Sequence, residues 1–172
     1  MAVLVPFEGR EPRVHPSAWL APTATLVGDV TVEADAVVLF GAVLRGDMDR
    51  IVLGRGSNCQ DNVVVHVDAG RPALIGADVS VGHAAVVHGC TIEDEVLVGM
   101  ASTVLNGAVV GTGSIVAAGA LVREGMQVPP RSLVAGVPGA VKRPVPDEEF
   151  PRIPRNAQAY RDLAARYRAA GA

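Results

Sequence analysis

Residues 92–134 read IEDEVLVGMASTVLNGAVVGTGSIVAAGALVREGMQVPPRSLV, and every sixth residue is a branched aliphatic: Ile92, Val98, Val104, Val110, Val116, Val122, Val128 and Val134. A helical stripe repeats every ~3.6 residues and a half-buried strand every ~2, so a period of six matches neither as a continuous element. It suits a short strand followed by a tight corner. Working outward, the same phase runs back through Val87, Val81 and Ile75, then Val65, Cys59 and Leu53, then Leu44, Val38, Val32, Leu26, Leu20 and Val14. A residue is missing between Val87 and Ile92, and extra ones enter between 65 and 75 and between 44 and 53. Small residues often follow the anchor, as at Gly54, Gly82, Gly99 and Ala117. So short a unit cannot bury its own apolar side. It must stack on its neighbours, which predicts an all-β solenoid with a continuous core.

Composition agrees. Of 172 residues, 49% are apolar and only 3% aromatic, so branched aliphatics in regular layers have to fill the core. Nineteen glycines and twelve prolines supply the corners. A net charge of −3 gives no electrostatic grip on nucleic acid or anionic lipid. No apolar run approaches the roughly 20 residues needed to span a bilayer. The stretch 1–6 lacks the basic start and length of a secretory signal. Cys59 and Cys90 make no disulfide framework. These features predict a soluble, cytoplasmic chain that binds neither nucleic acid nor membrane.

The period also divides the chain. Residues 1–13 are expected as an N-terminal cap or leading strand, 14–140 as the solenoid and 141–154 as a proline-rich linker. From 155 to 172 the pattern changes: Tyr160, Leu163, Ala164 and Tyr167 form a helical stripe, with Asn156 as the expected N-cap.

The repeat resembles that of the hexapeptide-repeat family. This resemblance implies a left-handed parallel β-helix of three flat faces, three hexads per coil and about seven coils, followed by the C-terminal α-helix.

Three of the four histidines lie between 66 and 88. His66 follows anchor Val65 and His88 follows anchor Val87, three hexads later, so they share one face and one position in adjacent coils. Strands on a face stand about 4.8 Å apart, which lets two such imidazoles converge on one ion. His83 falls one hexad before His88, on an adjacent face, out of reach of that ion in its own chain. A prism packed about a three-fold axis brings the next subunit's His83 beside the pair, giving a homotrimer with metal sites at its interfaces. His15 has no register partner and reads as surface. Cys59 reads as core and Cys90 as a buried small hydrophobe.

The residues around the histidines sharpen the match. Arg45-Gly46-Asp47, Asn58-Cys59-Gln60-Asp61, His66, Gly82-His83 and His88-Gly89-Cys90, in that order, resemble the γ-class carbonic anhydrase family over nearly the whole chain. The resemblance implies a lyase interconverting CO2 and bicarbonate. His66, His83 and His88 would ligate Zn2+, with Fe2+ or Co2+ as alternatives. Gln60 would hold the water or bicarbonate at the ion. Arg45 and Asp47 would pair, across the subunit interface, and Asn58 and Asp61 would orient the surrounding groups. Tyr160 would reach the site from the terminal helix.

The chain departs from the family's best-studied pattern where a proton must leave. The loop 67–74 is short and carries only Asp68 as an acid, and Met48 stands where that pattern has a glutamate. Two other readings share the fold: an acyl-CoA-dependent acyltransferase using one histidine as base, and a metal-bearing trimeric scaffold without turnover.

Overall fold

Each hexad becomes a strand a few residues long, and successive strands land on successive faces. The computed structural model describes residues 1–171. The first coil contains β1 (Val3–Val5), β2 (Arg13–Val14) and β3 (Trp19–Leu20). β4 (Thr25–Val32) then turns through two faces, β5 (Val37–Val38) follows on the third, and β6 (Val43–Leu53) again turns through two. β7 (Asn58–Cys59), β8 (Val64–His66), β9 (Ala73–Ile75), β10 (Ser80–Val81), β11 (Val86–His88), β12 (Thr91–Ile92) and β13 (Leu97–Val98) continue the winding. β14 (Thr103–Val104), β15 (Val109–Val110), β16 (Ile115–Val116), β17 (Leu121–Val122), β18 (Gln127–Val128) and β19 (Ser132–Ala135) complete about seven coils. β20 (Ala140–Pro144) folds back antiparallel on β19 and closes the end.

One face stacks β1, β4, β6, β8, β11, β14 and β17; a second runs from β2 through β6, β9, β12, β15 and β18; the third runs from β3 to β20. Apart from β20 the pairings are parallel and without slip in the second half, Val98 on Val116 and Val116 on Val134. The anchors point inward and are fully buried from Leu26 and Leu44 through Val87 to Val122. Burying each such side chain contributes about 1.5–3 kcal/mol, offset by ordering of the chain. Val14 and Leu20, in the first coil, have no coil above them and are only half-buried.

The corners explain the constancy of the period. Every sixth residue from Glu95 through Ala101, Gly107, Gly113, Gly119 and Gly125 to Arg131 takes a positive φ, between +54° and +69°. One left-handed residue per corner swings the chain onto the next face, and glycine adopts it without a Cβ clash.

At the N-terminus residues 3–5 form a strand paired in parallel with β4. The C-terminal end differs from expectation. The assigned linker contains most of β20 and the start of helix α1 (Arg152–Ala169), which begins ahead of residue 155. Asn156 is not the N-cap: Pro151 occupies that place, and no side chain caps the helix. Pro154 is tolerated in the first turn because its missing N–H would have no helical partner there. Burial of Ile153 at 0% exposure anchors that turn against the solenoid. At the other end, Tyr167 stacks on Trp19 with ring centroids 5.1 Å apart and meets Phe40 edge-on.

Candidate metal centre

β8 and β11 lie in register with His66 opposite His88, and β6 adds Arg45 as the neighbour of His66 on the other side. The two rings stand 4.9 Å apart between centroids, at 65° to each other. His66 Nδ1 and His88 Nε2 face each other at 2.9 Å. The other nitrogen of each ring is already engaged by an acceptor. His66 Nε2 lies 3.1 Å from Asp47 Oδ1, and His88 Nδ1 lies 2.9 Å from Asn106 Oδ1.

This arrangement fixes the tautomers. A carboxylate and an amide oxygen only accept, so His66 Nε2 and His88 Nδ1 carry the protons of the neutral rings. The nitrogens left facing each other are both lone pairs. Two acceptors at that distance repel unless a proton or a metal cation stands between them. In a tetrahedral zinc site two nitrogens at bonding distance sit roughly 3.3 Å apart, close to the spacing here. The donor set therefore fits a divalent, imidazole-seeking ion.

Asp47 fastens the His66 side. Burial alone would raise its carboxyl, but the Arg45 guanidinium and the His66 ring N–H hold it below the ordinary carboxylate value of 3.8. Arg45 pairs with Asp47 inside one chain. The extra residues at 46–50 turn β6 through the corner and bring Asp47 back onto its own Arg45.

His83 is not part of this convergence. Among the described residues, the group whose ligand atoms all lie within 4.8 Å of one another is His66, Asp68 and His88. His83 sits past the end of β10 with its own supports. Its Nδ1 is 2.8 Å from Asp61 Oδ2, and its backbone N–H donates to Gln60 Oε1 at 3.2 Å. Gln60 is 4% exposed; its Nε2 donates to Asn58 Oδ1, and Asn58 Nδ2 donates to Ser80 Oγ. Both ends of the Gln60 amide are thereby set. Tyr160 Oη, carried by α1, stands 3.3 Å from His83 Nε2. Burial, and then the Asp61 charge, push the Tyr160 phenol above its ordinary value. Gln60, His83, Met100, Asn156 and Tyr160 help line a cleft of about 380 Å³.

The sequence residues thus fall into two clusters: Arg45, Asp47, His66 and His88 in one, and Asn58, Gln60, Asp61, His83 and Tyr160 in the other. His15 is exposed and bonded to Ser17, away from both. Met48 is 52% exposed. The sequence reading missed Asn106: Val87 pairs with Val104 in the next coil, so Asn106 falls one place beyond the register position of His88, off the spacing the period supplies.

No family model matches the chain. A Methanocaldococcus jannaschii protein named "Probable carbonic anhydrase" is 54% identical over 145 residues, covering 84% of this chain and 91% of that one. "Gamma carbonic anhydrase 2, mitochondrial" of Arabidopsis thaliana is 42% identical over 161 residues, 90% of this chain but 58% of the plant protein's length. "Carnitine operon protein CaiE" of Citrobacter koseri is 43% identical over 163 residues, 95% and 83% of the two chains. Among solved structures, a hexapeptide transferase family protein from Anaplasma phagocytophilum superposes with a TM-score of 0.93 at 39% identity, covering 96% of this chain and 98% of that one. The solenoid is accordingly the left-handed β-helix of hexapeptide-repeat proteins. With its paired histidines in register and relatives of this identity over most of their length, the chain belongs to the hexapeptide-repeat family that includes the γ-class carbonic anhydrases.

Proposed function

We propose that this protein interconverts CO2 and bicarbonate with a divalent ion, zinc by preference, held between His66 and His88 of one protomer and His83 of the next in a homotrimer. The observation that carries the reading is the pair of facing lone pairs on His66 Nδ1 and His88 Nε2, each with its second nitrogen pinned. A divalent ion bound there would acidify a water molecule and supply the nucleophile for CO2.

The chain's own residues do the rest. Asp47 and Asn106 hold the two rings in the ligating tautomer. Asp61 holds Nδ1 of His83, so Nε2, which meets only Tyr160 Oη at 3.3 Å, is the lone pair offered to a neighbouring protomer's site. Gln60, oriented by Asn58, and Tyr160 line the cleft beside His83 and offer hydrogen bonds to a bicarbonate oxygen. The face bearing His66 and His88 supports a trimer. Beside the histidine column runs an outward column of Val3, Thr25, Val43, Val64, Val86, Thr103 and Leu121. Val3 is 49% and Val64 40% exposed in the single chain, an apolar strip that association would cover. No helix of the described residues is long and apolar enough to cross a membrane.

Stopped-flow CO2 hydration on zinc-loaded protein tests the reading. The wild type is expected to exceed His88→Ala, and equal rates would refute hydration as the activity. The transferase name of the Anaplasma structure favours a second reading, acyl transfer from an acyl-CoA by a single histidine base. That reading needs no metal, so zinc bound stoichiometrically and lost on mutating His66 or His88 argues against it. Full metal occupancy with no hydration would point instead to a scaffold.

A further inference from the structure

The loop that looks merely shortened has a geometry of its own. Asp68 and Arg71 bridge each other across a tight turn, with the Arg71 N–H donating to the Asp68 carbonyl at 2.9 Å. This hairpin drops the half-buried Asp68 side chain beside the next coil but one, where Asp68 Oδ2 accepts from Asn106 Nδ2 at 2.7 Å. The amide of Asn106 is therefore not free to turn. Its nitrogen must face the carboxylate, which cannot donate, and its oxygen must face His88 Nδ1. Were the amide reversed, a donor would face the ring and favour the opposite tautomer, taking the Nε2 lone pair away.

The backbone is built to permit this approach. Gly89 takes φ +52° at the corner where the repeat lacks a residue. A Cβ there would overlap Asn106 Oδ1 and press to 3.1 Å on the Arg71 Cβ. The same tight corner lets the Gly107 N–H donate to the Gly89 carbonyl at 2.7 Å, locking the coil that carries Asn106 under the coil that carries His88. The missing residue, the short hairpin and the Asn106 amide thus form one arrangement.

We propose that Asp68 and Asn106 are positioning residues acting through His88: the carboxylate orients the amide, the amide oxygen fixes the imidazole proton on Nδ1, and Nε2 is committed to metal. The proposal rests on the metal-site reading above. Outer partners of metal-bound histidines set ring orientation and basicity, and their loss typically weakens metal binding about 10–100-fold.

The test is zinc affinity by competition with a chromophoric chelator, with the visible spectrum of Co2+-loaded protein as a second readout. Asn106→Leu keeps the volume and removes the acceptor. It is expected to weaken zinc binding about 10–100-fold and to change the Co2+ spectrum, with the thermal midpoint of metal-free protein unmoved. The exchange variant Asp68→Asn with Asn106→Asp restores both hydrogen bonds with the groups reversed, and should recover most of the affinity. A purely structural role predicts no such recovery. Zinc binding by Asn106→Leu as tight as wild type, or an exchange variant as weak as Asn106→Leu, overturns the relay. Should Asn106→Leu fail to fold, Asp68→Ala decides: a several-fold loss supports the relay and unchanged affinity overturns it. His88→Ala separates the two levels. If wild type holds no more metal than His88→Ala, the metal-site reading falls and the relay with it; if wild type loads and Asn106→Leu loads equally, only the relay falls.

Discussion

Cys59 and Cys90 show how firmly a single hexad position determines chemistry. Both are buried, at 0% and 2% exposure, and burial pushes each thiol from 9.0 up to about 12. Cys90 lies two residues from His88, yet its sulfur is not among the ligand atoms that converge with His66, Asp68 and His88. The linkage has a definite sign. A group that stays protonated in the fold and ionises when unfolded favours the unfolded chain as pH rises. The thiol contribution is full below 9.0 and declines as pH climbs from there toward about 12. Denaturant titrations across the alkaline range are expected to show this decline. Cys59→Val should lessen it, leaving the Cys90 share, and an unchanged slope would contradict the assignment. At this scale the histidines were legible because a repeat turns sequence spacing into spatial register. Asn106 and Asp68 were not, because their meeting depends on a missing residue at Gly89 and on a hairpin at 68–71, neither of which the period describes.

The strands and the helix differ in how they are held. Anchors such as Val98 and Val116 are enclosed by their own stack, so the solenoid followed directly from the six-residue phase. Helix α1 followed only in part. Its apolar stripe was visible, but its start was not, since Pro151 and Pro154 look like breakers in sequence and act as a permitted first turn in the structure. Its far end is fixed by Tyr167 against Trp19 and Phe40, while Arg161 reaches Asp78 at 2.6 Å and the Gly56 carbonyl at 2.8 Å. Two ring contacts at about 0.5–1.5 kcal/mol each give Tyr167→Ala an expected cost of about 1–3 kcal/mol. Trp19 is the sole tryptophan, so its fluorescence reports the event. The variant should show red-shifted emission and a lower thermal midpoint. Emission unchanged from wild type would mean the helix end packs elsewhere.

At the level of the whole molecule, the two clusters have complementary needs. His66 and His88 present two lone pairs with no third imidazole, and His83 presents one nitrogen beside Gln60 and Tyr160 with no second ligand. In the proposed three-fold assembly, His83 of one protomer would complete the pair of the next, giving up its long contact to Tyr160. The most direct test mixes two defective proteins. His83→Ala and His88→Ala are unfolded together, refolded, loaded with zinc and assayed for metal that survives dialysis. Each variant alone should retain none at the centre. The mixture should regain zinc, one site in every mixed trimer, where an intact pair meets an intact His83. A mixture as empty as its parents, or His83→Ala alone holding zinc as wild type does, would contradict a site shared between subunits.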